Sequence, residues 1–359
     1  MKKNFTLFKL IKSLPFFLAT LFVLRPAMSF GQNYLGLNGG FEGTATISNT
    51  VSSSAQPGAW AISNANQSLT DETTIVRSGN HSLKATNSTT TGRRIWSPLI
   101  TTNPTTSNVT IQFYRYTGTT DTQMSRPGIG DGTSNDTSPN TYTAPSTINV
   151  WEKVIYTKSA WSFTDIASVI WNKAINASTP GCVYIDDVSL YAGTEDNTPP
   201  DPAQYPSISP APSSLTVRWT APASGTDNGG YLVVRGTSDP VTPPNLNGIY
   251  ATSNEIAPGA TVVYQGIDTS FADEGLAPGT TYYYRIYTYD KAYNYSTAVN
   301  INATTSLSTS IRNPSTDTKL QSIRYFTIGG IEVEIPVKGY YIEKSFYSDG
   351  TIVTRKIVK

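Results

Sequence analysis

Residues able to carry out acid–base or nucleophilic chemistry are scarce in this 359-residue chain, which has one histidine, His81, and one cysteine, Cys182. Any Ser-His-Asp or Cys-His arrangement would have to use His81. That residue lies in the strand-like segment Asn80-His81-Ser82 and reads as solvent-facing. There is no His-Glu-Xaa-Xaa-His, phosphate loop or dinucleotide fingerprint. A carboxylate pair for glycoside hydrolysis needs no histidine, so it survives this test. Three acids stand out, Glu42 and the neighbours Asp186 and Asp187. The cluster Asp131-Gly132-Thr133-Ser134-Asn135-Asp136 has ligand-like spacing but lacks the glutamate of an EF-hand loop, and reads as a polar loop. Cys182 excludes an intrachain disulfide framework and reads as a small buried hydrophobe.

The elements that must position these residues are strands. Gly 27, Pro 23, Tyr 22 and 14% charged residues suit several small β domains rather than a helical protein. Short apolar runs alternate with Ser, Thr and Asn, as in Ser82 to Thr86, Val109 to Tyr116, Trp151 to Thr157, Ala167 to Trp171 and Val183 to Tyr191. The net charge is +1 and no basic run interleaves with aromatics, so nucleic acid is not an expected partner.

Both ends carry export signals. Lys2, Lys3, Lys9 and Lys12 precede an apolar run from Leu14 to Leu24 and small residues at Ala27 and Ser29, the parts of a secretory signal peptide over 1–31. The run is too short to span a bilayer, so the mature protein is expected to have no transmembrane segment. At the other end come Ile323 to Gly330, Gly339-Tyr340-Tyr341-Ile342-Glu343-Lys344, and a basic tail Arg355-Lys356-Ile357-Val358-Lys359. These are short strands joined by glycine turns. The region 307–359 resembles the C-terminal sorting domain of the type IX secretion system of Bacteroidetes, although the upstream Asn-Pro element survives only as Arg312-Asn313-Pro314. That resemblance implies a secreted or outer-cell-surface protein that engages outer-membrane secretion machinery.

Three phrases frame residues 32–193: Asn38-Gly39-Gly40-Phe41-Glu42, Ser78-Gly79-Asn80-His81-Ser82-Leu83-Lys84 and Tyr184-Ile185-Asp186-Asp187-Val188-Ser189-Leu190. Together they resemble a jelly-roll carbohydrate-binding module of the kind appended to xylanases and cellulases. The resemblance implies that the first phrase opens the first strand, the third forms the last, and the two lie close together. It also implies a structural calcium held by Glu42 and Asp187. Asp186 is the fallback, because neighbouring strand residues point to opposite faces. Its expected partner is a polysaccharide or glycoprotein glycan. Sugars need flat apolar surfaces flanked by polar groups. The resemblance puts Trp60 and Trp151 in the core. Trp96, Tyr114, Tyr116, Trp161 and Trp171 are the candidate platforms, with Gln112, Arg115 and Asn172 as hydroxyl partners. Alternation sets Tyr114 and Tyr116 on one face and Arg115 on the other.

The proline-rich stretch 194–203 reads as a linker. In 204–306, Trp219 and Leu276-Ala277-Pro278-Gly279-Thr280-Thr281-Tyr282 resemble the fibronectin type III pattern, with Tyr282 as corner tyrosine and a long insertion between Pro240 and Ala260. That module is expected to be a spacer. The whole reads as all-β: a jelly-roll sandwich, an immunoglobulin-like sandwich and a small C-terminal β domain. With both domains small, no segment is left for a catalytic barrel, and the chain is expected not to be an enzyme. The leading expectation is a glycan binder; the alternative is a surface adhesin or matrix protein that binds other proteins.

Overall fold

A computed structural model describes residues 33–42, 46–101, 107–118, 123–133, 136–162, 164–176, 178, 181–307 and 319–359. The segment 1–31, read above as a signal peptide, and Arg312-Asn313-Pro314 lie outside these residues. The first unit has twelve strands: β1 Thr46–Val51, β2 Ala59–Ile62, β3 Gln67–Glu72, β4 Ser82–Asn87, β5 Arg93–Trp96 and β6 Ile100–Thr101. There follow β7 Ser107–Tyr116, β8 Gln123–Gly130, β9 Asp136–Thr137, β10 Glu152–Trp161, β11 Asp165–Ala174 and β12 Val183–Ala192. They form a five-stranded sheet, β10-β7-β12-β4-β3, facing a sheet of order β1-β2-β5-β11-β8-β9 with β6 against β11. The five strand-like runs seen in the sequence are thus all strands.

Alternation builds the core between the sheets. Leu83, Ile111, Phe113, Ile185 and Leu190 from one sheet meet Trp60, Ile95, Ile129 and Ile170 from the other, all at most 0% exposed. Burying each such side chain contributes roughly 1.5–3 kcal/mol. Asn38-Gly39-Gly40-Phe41 does not open a strand. Gly36–Gly39 is a 3-10 turn, Gly36 and Phe41 have positive φ, and Phe41 packs on Trp60 with ring centroids 5.0 Å apart. Adjacency of the chain ends does hold, since the Tyr34 amide donates to the Leu190 carbonyl and Asn33 bridges to Tyr191.

β12 is buried along its whole length, and its spacing explains why. Val183 and Ile185 face the core before a bulge; Val188 and Leu190 face it afterwards. The register slips by one residue between Asp186 and Ser189, and Asp187 takes a left-handed φ of 53°. Both aspartates are thereby freed from strict alternation.

The second unit is an immunoglobulin-like sandwich. Strands Gln204–Pro210, Ser214–Thr220 and Ser270–Glu274 form one sheet; Gly230–Gly236, Ala260–Gly266, Thr281–Tyr289 and Val299–Thr304 belong to the other. Trp219 is 5% exposed and packs edge-on to Tyr231 at 5.2 Å. The Tyr282 hydroxyl accepts from the Ala277 amide at 3.1 Å, as a corner tyrosine does. A third, antiparallel four-stranded sheet runs from Leu320 to Val358 and contributes only Val353 to the buried apolar residues. Among the described residues no helix is long and apolar enough to cross a membrane.

The second unit does not hang from the first as a detached bead. Its insertion, seen in the sequence between Pro240 and Ala260, folds back onto β12 and the turn before β4. Ile249 is fully buried against Gly39 and Gly40. The Asn245 side chain donates to the Arg77 carbonyl at 2.7 Å, Gln112 donates to the Ala292 carbonyl at 3.0 Å, and Asn33 to the Lys291 carbonyl at 3.1 Å.

Candidate functional site

The three acids converge on one turn, but on different parts of it. Ser78-Gly79-Asn80 separates them. Glu42 Oε1 accepts the amides of Asn80 and His81 at 2.9 and 3.0 Å. Asp186 Oδ2 accepts the amides of Arg77 and Ser78, and its Oδ1 that of Asp187. Asp187 Oδ2 meets the Arg77 guanidinium at 2.5 Å, while its Oδ1 accepts from the Ser78 hydroxyl and from the Ile249 amide at 2.7 Å. Arg77 also donates to the Leu246 carbonyl at 2.7 Å and lies 3.3 Å from the Tyr114 ring centroid.

Burial dominates the electrostatics here. It raises the carboxyls of Asp186 and Asp187, the first further by the charge of the second; Arg77, the Ser78 hydroxyl and the Ile249 amide pull Asp187 back. Burial also raises Glu42 against the amides of Asn80 and His81. Glu42 is 3% exposed, and its Oε2 has no hydrogen-bond partner.

Calcium takes about six to eight oxygens. Both oxygens of Asp187 and both of Asp186 already have donors, and a guanidinium supplies the balancing positive charge. Among the described residues no group of three or more His, Cys, Asp or Glu could hold a metal ion. The donor set therefore does not fit a calcium shared by Glu42 with Asp187 or Asp186, and the expectation is corrected on that ground. The alternation argument for choosing only one aspartate fails for a related reason: the bulge brings both to the same turn.

The aromatic candidates divide by burial. Trp96 is 0% exposed, in a small cluster with Ala55, Ala167 and Val169 under a loop, and Trp161 is 4% exposed in the main core. Neither offers a ring face to a sugar. Asn172 is 0% exposed and joined to Gln67 at 2.8 Å, so it has no access to a ligand. Gln112 and Tyr114 lie on the outer face of β7 but under the second sandwich, with the Tyr114 hydroxyl 3.3 Å from Asn247. These five are structural residues. Arg115 does point away from the tyrosines, and pairs with Glu152 at 2.9 Å.

Tyr116 and Trp171 remain, on opposite sides of the sandwich. Tyr116 belongs to a row that register builds across the five-stranded sheet: Lys84 of β4 pairs with Tyr184 of β12, Tyr184 with Tyr116 of β7, and Trp151 leads into β10 beside it. Tyr116 and Trp151 are half-buried, with centroids 5.4 Å apart; Tyr184 stands edge-on to Tyr116 at 5.8 Å. The Lys84 ammonium lies 5.7 Å from the Tyr184 ring, and the Tyr116 hydroxyl donates to Asn149 at 3.1 Å. Such a row offers apolar faces with hydroxyl, amide and ammonium groups at its margin. Trp151, assigned to the core from the sequence, and Tyr184 were missed. The available signal was the parity of Tyr184 with Asp186, opposite to core-facing Ile185.

No family model matches the chain, and no curated protein matches it. Solved structures do. It is similar to a beta-1,2-glucanase from Parabacteroides distasonis at 18% identity and TM-score 0.40, covering 69% of this chain and 36% of that one. It is similar to the glycoside hydrolase domain of Endo-D from Streptococcus pneumoniae R6 at 11% identity and TM-score 0.44, covering 68% and 37%. The CBM22-1 xylan-binding domain of Paenibacillus barcinonensis Xyn10C aligns at 12% identity and TM-score 0.29, covering 40% of this chain and 92% of that one. The chain spans little more than a third of either hydrolase. Because two of these structures are glycoside hydrolases, the expectation that the chain is not an enzyme is withdrawn; at TM-scores below 0.5 neither assigns it a reaction. The protein is all-β, with jelly-roll and fibronectin type III-like units.

Proposed function

We propose that this chain binds glycans on the outer face of its five-stranded sheet, at the end that the second sandwich leaves open. The observation that carries the reading is the half-buried Tyr116–Trp151 pair, set in register with Tyr184 and Lys84. Stacking one sugar on such a ring buries on the order of 100 Å² of apolar surface, or roughly 2.5 kcal/mol before association costs. Two platforms correspond to dissociation constants of ~mM to ~μM.

The test is a glycan array followed by calorimetry on the full chain and on Trp151→Ala. Binding of a glycan that weakens at least about tenfold in the variant, with unchanged thermal unfolding, is expected. Binding unaffected by Trp151→Ala refutes the site. The same glycans, assayed for new reducing ends, report whether any is also cleaved.

We further propose that the chain is exported and kept at the outer cell surface, with the terminal sheet as its sorting element. Support comes from Arg324, Lys344 and Lys356, which lie over Phe346, Phe326 and Tyr340 and give one face a basic, aromatic character. Removal of residues 319–359 in a type IX-competent host is expected to leave the protein in the periplasm. Surface display without them would refute the assignment.

A further inference from the structure

We propose that the outer face of the other sheet carries a second glycan site, selective for an acidic polysaccharide of the uronate class. Its centre is Trp171 on β11. Register sets Arg94 of β5 directly beside it on one side and Arg126 of β8 on the other. The two guanidinium carbons lie 4.3 and 4.7 Å from the indole centroid. The series continues outward: Arg126 lies 4.6 Å from the Tyr142 ring, and Lys173 lies 4.8 Å from the same ring. Cation and ring therefore alternate through five residues.

Shielding Trp171 does not require all of this. Arg94 is neutralised by Asp136, which accepts from its Nε and Nη2 at 2.8 and 3.1 Å. Arg126 and Lys173 form no ion pair among the described residues; Arg126 donates from Nη1 to the Pro139 carbonyl at 3.2 Å. Both are half-buried, so solvent reaches them. Three cations thus face one carboxylate on this surface of the sheet.

The occupant follows from that imbalance. Guanidinium presents paired N–H donors that match a planar carboxylate, and ammonium adds a point charge. Neighbouring strands stand about 4.8 Å apart, so Arg94 and Arg126, on either side of β11, are separated by roughly 10 Å, a span of about two sugar residues. A chain bearing one carboxylate per sugar supplies the complementary charge, while the half-buried Trp171 supplies apolar contact. A neutral chain would leave Arg126 and Lys173 without a counter-charge.

The site is distinct from the Tyr116–Trp151 face, and the experiment keeps them apart. Binding of polygalacturonate to the full chain is compared with that of its fully methyl-esterified form, which removes only the charge. The acid is expected to bind at least about tenfold more tightly, the preference shrinking as salt rises. Lys173→Gln, and Arg126→Gln with Lys173→Gln, are expected to abolish that preference, and Trp151→Ala to leave it intact. Lys173→Gln removes a half-exposed charge at the end of the series, so it reads the site even where the double variant fails to fold. Equal binding of acid and ester, or a preference that both variants retain, overturns the proposal. Polygalacturonate binding lost in Trp151→Ala but not in Lys173→Gln overturns it too, and returns the ligand to the first face.

Discussion

Replacing Arg77 with methionine removes the guanidinium that faces Asp187 while keeping an apolar side chain of similar length over Tyr114. The Asp187 carboxylate has 0% side-chain exposure and Arg77 12%, so water cannot take over the lost role. Only Ser78 and the Ile249 amide would still hold the carboxylate, and the Leu246 carbonyl would keep only the Tyr114 hydroxyl at 3.5 Å. Breaking one partner from a buried pair costs about 3–5 kcal/mol. With roughly 2–4 °C per kcal/mol for units of this size, calorimetry on the purified chain should show a fall in Tm on the order of 10 °C. The pH dependence has a definite sign. Arg77 lowers the Asp187 pKa, so removing it raises the folded-state value further above the unfolded one. The loss should be small where Asp187 is protonated in both states, and should grow as pH rises through the carboxylate range. Adding Asp187→Asn removes the stranded charge and should recover part of the stability. A Tm change under about 2 °C, or a double variant worse than the single one, would refute the view of Arg77 as the internal counter-ion.

Asp290 is 1% exposed, and burial pushes it up to about 6 against the donors of Ala292 and Asn294. Its contribution is fully present below the unfolded pKa near ~4 and is lost as pH rises through the folded value, amounting to roughly 3 kcal/mol. Urea unfolding between pH 4.5 and 7.5, chosen as roughly the span of that titration, should show this slope in the native chain and a flatter one in Asp290→Asn. A chelator should leave Tm unchanged to within about 1 °C, because the Asp186 and Asp187 oxygens are held by protein donors; a clear drop would reinstate a metal. Gly39→Ala should destabilise by roughly 1–3 kcal/mol, since a Cβ there overlaps the Val188 carbonyl oxygen and crowds Ile249. Urea titration reads that cost directly.

Much of the fold was written in short-range pattern. Period-two alternation located the long strands, and the Pro-Gly-Thr turn with Tyr282 located the second sandwich. The same logic separated Tyr114 and Tyr116 from Arg115. It failed where a single residue breaks the period. Val183, Ile185, Val188 and Leu190 are spaced two, three and two, and that central three marks the bulge that turns both aspartates to one side. Contacts between distant segments were less accessible. Nothing local to Arg77 says that it will neutralise Asp187, and nothing in the insertion after Pro240 says that Ile249 will seat on Gly39 and Gly40. For the aromatics, type alone could not distinguish Trp96, sealed beneath a loop, from Trp151, half-open at a strand entrance. That difference depends on which strands become neighbours.

The seam between the sandwiches has a mechanical consequence. Where Asn33, Gln112 and Tyr114 meet Lys291, Ala292 and Asn247, the two units share hydrogen bonds along a broad front instead of swinging about the prolines at 199 and 200. Tension entering at the sheet face would pass straight into the strand Thr281–Tyr289 of the second unit, with no slack joint between the two sandwiches to absorb it. A grip on one sandwich would set the heading of the other.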